Sequence, residues 1–131
     1  METTSARVTS GQRQRVAAIA RFFKGLDDPT RVLILELLLS GEKNVTELVE
    51  LIGSPQARIS THLSCLRWCG YVTTRREGRN VYYRLFDQRV RALMRIAEEL
   101  VFDHAQELLS CRVINGPADH EVDMEVHDAL G

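Results

Sequence analysis

The sequence predicts a mostly α-helical domain with one small β-hairpin, and three observations carry that reading. Apolar residues recur at helical spacing in five stretches between Ser10 and about residue 110; the period changes to two between Val72 and Leu85; and cap residues or glycines stand at the joints between stretches. At 131 residues the chain suffices for one domain with a core of its own.

Residues 1–9 are polar and expected to be disordered. Ser10 is read as the cap of a first helix, in which Val16, Ile19, Ala20, Phe23 and Leu26 keep helical spacing and Gly25 stands near the end. Asp28 and Pro29 restart the chain as a second helix, whose VLILELLL run is apolar almost all round and therefore buried on most sides. Ser40 and Gly41 stop it. Asn44 and Glu47, three apart, have the spacing of a capping box and open a short helix through VTELVELI.

Gly53 then makes the turn into SPQARISTHLSCLRWCGY, with Ser54 as cap and Pro55 as the first helical residue. Two helices joined by such a turn form a helix-turn-helix, whose second helix enters the DNA major groove. Ile59, Leu63 and Leu66 form the buried stripe of that second helix, leaving Gln56, Arg58, Ser60, Thr61 and His62 as candidate DNA contacts. On the helical wheel His62, Cys69, Arg58 and Cys65 fall within about 60° of one another along one flank of the stripe. Trp68 lies opposite Ile59, where it could pack against the hairpin or a neighbouring subunit.

After Gly70, Val72 and Thr74 lead into the turn residues Glu77, Gly78, Arg79 and Asn80, and Val81, Tyr83 and Leu85 return on alternate positions. This hairpin is the wing of a winged helix-turn-helix, with Arg75, Arg76 and Arg79 near its tip to lie along phosphates. Asp87 caps a long last helix carrying Val90, Leu93, Met94, Ala97, Leu100, Val101, His104 and Leu108 on one stripe. That stripe exceeds what so small a core can cover, which predicts a homodimer formed by the first and last helices. The domain is thus placed at residues 10–114, followed by an acidic flexible tail at 115–131.

Charge sharpens the reading. Between Pro55 and Arg95 nine arginines face only Glu77 and Asp87, whereas from Ala97 onward nine acids face only Arg112. The formal net charge of -1 conceals a basic middle suited to a polyanion such as double-stranded DNA. No apolar run is long enough to span a membrane, and METTSARVTSGQRQR lacks the apolar core of a signal peptide, so a cytoplasmic location is expected. In a reducing compartment three cysteines point to metal binding or thiol chemistry rather than disulfides.

The order of elements, with DPTR at 28–31, HLSCLRWCGYV at 62–72 and REGRNVYYRL at 76–85, resembles the ArsR/SmtB family of metal-responsive repressors over roughly residues 15–111. The resemblance implies a winged-helix homodimer that holds operator DNA without metal and releases it when metal binds. One branch carries a Cys-x-Cys pair that would fall on Asn44 and Thr46, so that site is missing. Another opens its last helix with Asp-x-His; Asp87 fits, Arg89 does not, and His104 and Glu107 stand about a turn away from the partner half of that zinc site. HLSCLRWCG resembles instead the branch that senses cadmium and lead, which implies a metal site of Cys65, Cys69 and Cys111, the last from the partner subunit. Three sulfurs suit cadmium, lead or mercury; zinc usually seeks four ligands and fits worse.

Two other classes of function suit the same residues. Thiol oxidation could release DNA from the same fold, and a winged helix can serve protein contacts alone. An enzyme is not expected, since the chain lacks a phosphate-binding glycine loop, a nucleophile elbow and paired metalloprotease histidines. His120 and His127 in the acidic tail read as part of a solvated segment.

Overall fold

The computed structural model describes residues 6–110. Five helices and a small sheet follow in the order α1 (Ser10–Lys24), α2 (Pro29–Leu38), β1 (Lys43–Asn44), α3 (Val45–Ile52), α4 (Gln56–Cys69), β2 (Val72–Glu77), β3 (Asn80–Leu85) and α5 (Gln88–Ser110). Cys111 and the tail at 115–131 lie outside the described residues, as do residues 1–5.

Local hydrogen bonding explains where most helices begin. The Asp28 carboxylate accepts from the amides of Thr30 (2.8 Å) and Arg31 (3.3 Å), with Pro29 as the first helical residue of α2. Asn44 and Glu47 exchange 2.8 Å bonds in a complete capping box at α3. Asp87 accepts from the Arg89 amide at 2.8 Å where α5 starts.

Two expected caps are corrected. Thr9 rather than Ser10 caps α1, because Gln12 stands at the right spacing to close a capping box with it. At α4 the cap position is Pro55, with no side-chain cap bond, so Ser54 does not act as the cap and the helix begins at Gln56. Pro55 still helps, since its carbonyl accepts from both Arg58 and Ile59 at 3.1 Å. The far end of α4 closes on Gly70, whose φ of 90° is a left-handed turn that L side chains adopt rarely. That turn lets the Tyr71 amide reach back to Leu66 O at 2.9 Å.

The wing is the expected hairpin, in register from Val72 opposite Leu85 to Glu77 opposite Asn80, with Gly78 and Arg79 as its two-residue loop. A third strand was not foreseen: Lys43 and Asn44 pair with Tyr83 and Tyr82, giving the sheet order β1-β3-β2. Two residues are too few to show alternation, and their pairing ties the entry to α3 onto the wing.

The core collects the apolar faces of α2, α3, α4 and the start of α5. Ile34, Leu35, Leu38, Leu48, Ile59, Leu63, Leu66, Tyr71, Val72, Val90 and Met94 are all buried. The stripe expected on α4 is the one that is buried, each member at 0% exposure. Burying three such side chains contributes on the order of 1.5–3 kcal/mol apiece, which fixes the roll of α4 against the domain.

Both outer helices leave apolar surface uncovered. No residue of α1 is buried, and Val16, Ile19 and Phe23 are exposed. On α5 only Val90 and Met94 are buried, while Ile96, Leu100 and Phe102 are exposed. The long helix is also interrupted at His104, where φ of -130° and ψ of 23° depart from helical values.

Candidate nucleic-acid interface and thiol pair

Because the core claims one stripe of α4, the remaining positions divide into an outer face and an inner edge. Gln56, Ala57, Arg58 and Thr61 are exposed on the outer face, and Ser60 is half-buried beside them. The Thr61 hydroxyl donates to Ala57 O at 3.0 Å, which holds its methyl and oxygen in one orientation. Trp68 continues this face at 90% exposure.

His62 belongs to the inner edge. Its side chain is only 14% exposed, with Nδ1 3.3 Å from Arg31 Nη1 and Nε2 3.9 Å from the Asp28 carboxylate. It was expected among the DNA contacts, and the structure places it against the start of α2. Burial holds its pKa below the ordinary histidine value; the Arg31 and Arg58 charges act in the same direction, and Asp28 acts against them.

One and two turns further along lie Cys65 and Cys69, both half-buried free thiols. They stand four residues apart on one side of α4, and desolvation followed by the neighbouring Cys65 pushes the Cys69 thiol above its usual value. The end of α1 forms the opposite wall. A Cβ added at Gly25 would stand 2.9 Å from Cys69 Sγ and 3.0 Å from the Tyr71 ring, so only glycine lets α1 approach this closely. The Tyr71 hydroxyl donates to Phe22 O at 2.7 Å, and the two rings stack with centroids 4.3 Å apart.

The wing arginines are unequal. Arg76 and Arg79 are exposed, whereas the Arg75 guanidinium is engaged by Glu42 through Nε (3.1 Å) and Nη2, and by Glu77 at 3.1 Å. It also lies 5.0 Å from the Tyr82 ring centroid. Its hydrogen bond holds the Glu42 carboxyl below the usual range. Arg75 was expected to meet phosphate with its neighbours; here it joins the wing to the loop before β1.

Among the described residues no three His, Cys, Asp or Glu side chains come together to hold a metal ion, and no helix is long and apolar enough to cross a membrane. Cys65 and Cys69 are two soft donors on one side of one helix, so they fit part of a thiophilic site that needs a further ligand. His104 is exposed, nearly two turns before the end of α5, and far in sequence from the thiols.

Residues 28–74, which span α2 through the first strand of the wing, match the model for the arsR family of bacterial regulatory proteins. A probable mercury resistance operon repressor from Streptomyces lividans is 45% identical over 100 residues, covering 76% of this chain and 80% of that protein. This chain belongs to the arsR family. The HTH-type transcriptional regulator CmtR of Mycobacterium bovis is 40% identical over 106 residues, covering 79% of this chain and 90% of that one. Among solved structures, the homodimeric winged helix-turn-helix DNA-binding domain of a possible ArsR-family regulator from M. bovis superposes with a TM-score of 0.70 at 29% identity, covering 76% of this chain and 92% of that chain. As an arsR-family member the chain is a winged helix-turn-helix transcriptional regulator, and α3 and α4 are its helix-turn-helix.

Proposed function

We propose that this arsR-family protein is a cytoplasmic homodimeric repressor that binds double-stranded operator DNA without metal and releases it when a soft thiophilic ion engages Cys65, Cys69 and Cys111. One observation carries the proposal. The two neighbouring thiols lie on the same helix that presents Gln56, Arg58 and Thr61 outward, with Cys65 about 10 Å along the axis from Arg58. Arg76 and Arg79 extend the contact along the phosphate backbone. The uncovered apolar residues of α1 and α5 supply the surface for the second subunit, in keeping with the homodimer formed by the M. bovis neighbour.

Cadmium, lead and mercury suit a three-sulfur donor set, and the Streptomyces relative's name supports a thiophilic effector. Each ligating thiol gives up its proton, so three thiolates leave a net charge of about -1 around a divalent ion, beside a helix that must approach phosphates. Burial and the neighbouring Cys65 hold the Cys69 thiol above its usual pKa, so a bound cation must offset that shift as it takes the proton's place. A tether from Cys111 of the second subunit would then act on the spacing of the two recognition helices, to which a dimer bound to two half-sites is geometrically sensitive.

Titrating the reduced protein with Cd(II), Pb(II), Hg(II) or Zn(II), while following near-ultraviolet sulfur-to-metal absorption and DNA binding together, tests the reading. Serine at position 65, 69 or 111 should leave metal-free DNA binding intact and abolish release. The proximity of the two thiols favours a second reading, oxidation, although a raised Cys69 pKa makes a slow nucleophile. Release by hydrogen peroxide without metal, and none with metal, would establish it.

A further inference from the structure

Arg31 touches three elements at once. Its Nε donates to Gly25 O at 2.7 Å and its Nη2 reaches Lys24 O at 3.4 Å, satisfying carbonyls at the end of α1. Its Nη1 faces His62 Nδ1 on α4 at 3.3 Å, and its own amide is held by Asp28 at the start of α2. A guanidinium only donates, so His62 must accept at Nδ1 and carry its proton on Nε2, the nitrogen turned toward Asp28. Arg31 is half-buried, and its guanidinium is occupied by the α1 carbonyls and by His62, whereas Gln56, Arg58 and Thr61 are exposed.

We infer that Arg31 is a positioning residue for operator binding: it sets the placement of α4 relative to α1 through His62 and touches no DNA itself. The inference rests on the repressor reading above and deepens it. If α1 is a dimer helix, the clamp from the α1 carbonyls through Arg31 to His62 fixes how each recognition helix stands relative to the dimer axis. Arg75 gives the wing a comparable internal tie, but only within one end of the sheet.

Two readouts decide the matter. In the free protein, a two-bond 1H–15N correlation spectrum of His62 should show Nδ1 unprotonated, and Arg31→Ala or Arg31→Lys should abolish that preference, since lysine cannot hold both the carbonyls and the imidazole. For DNA, a duplex selected by the wild-type protein from a random pool is titrated at several salt concentrations. Both Arg31 variants should weaken binding about tenfold at every salt concentration, with the salt slope unchanged, whereas Arg76→Ala should reduce the slope by about one. His62→Gln, which keeps an acceptor, should retain most of the affinity. His62→Leu should match the Arg31 variants, and adding Arg31→Lys to it should cost little more.

Thermal melts check that each variant is folded; if Arg31→Ala fails to fold, Arg31→Lys with His62→Leu carries the test. A proton on Nδ1 in the wild type, full affinity in Arg31→Lys, or a lowered salt slope for an Arg31 variant would overturn the inference. A wild-type protein that selects no duplex would refute the repressor reading instead, while the His62 spectrum still judges the clamp.

Discussion

The two sides of α4 are built by different physics. The outer face is a row of exposed side chains whose only side-chain hydrogen bond among the described residues is Thr61 to the backbone one turn back. The inner edge is stitched to distant segments: His62 to Arg31, Cys69 against Gly25, Tyr71 to Phe22. One helix therefore carries a surface free to meet a partner and an edge whose every displacement is felt by α1 and α2. The lesson is that a side chain's type does not say which side it serves. His62 and Arg58 both bear groups suited to DNA, yet one is enclosed and one is open.

Substitutions can break or sharpen this contrast. The largest effect should come from the buried stripe between the two sides, where Leu63→Ala should cost about 2–5 kcal/mol in urea denaturation by leaving a cavity. On the inner edge, Gly25→Ala should cost about 1–3 kcal/mol, because its methyl meets Cys69 Sγ and the Tyr71 ring at or below contact distance although the backbone φ of -61° is ordinary. On the outer face, Arg58→Ala should change stability by less than about 0.5 kcal/mol while weakening operator binding. An Arg58 variant as destabilised as the Gly25 one would erase the distinction between the sides.

The smallest effect concerns pH. His62 has a folded pKa below its unfolded value, so the unfolded chain takes up a proton first as pH falls, and stability is lost below the ordinary histidine pKa and regained above it. Protonation would also place a hydrogen on Nδ1 against the Arg31 donor. Melting temperature should therefore fall more steeply between neutral and mildly acidic pH in the wild type than in His62→Gln. Parallel curves would show that the inner edge does not sense the proton.

What the sequence disclosed, and what it hid, follows from the range of each interaction. Asp28–Pro29 and Asn44–Glu47 were legible as helix starts because cap and partner lie within three residues. The α4 stripe was legible because periodicity reports burial. Thr9 and Ser10 are adjacent hydroxyl residues that can both cap a helix, and the reach of Gln12 back to Thr9 decides between them. Arg31 and His62 are 31 residues apart, and Tyr71 and Phe22 are 49 apart, so no local pattern announces either pair. Counting arginines gave the wing its basic character, but a count cannot distinguish Arg75, already satisfied by Glu42, from Arg76 and Arg79.

One exposed ring has a practical consequence. Trp68 is the sole tryptophan of the chain and stands almost wholly in solvent on the outward side of α4. The protein thus comes with an intrinsic fluorophore beside both regions of interest, and its emission wavelength and quencher accessibility can report on either without a label being attached.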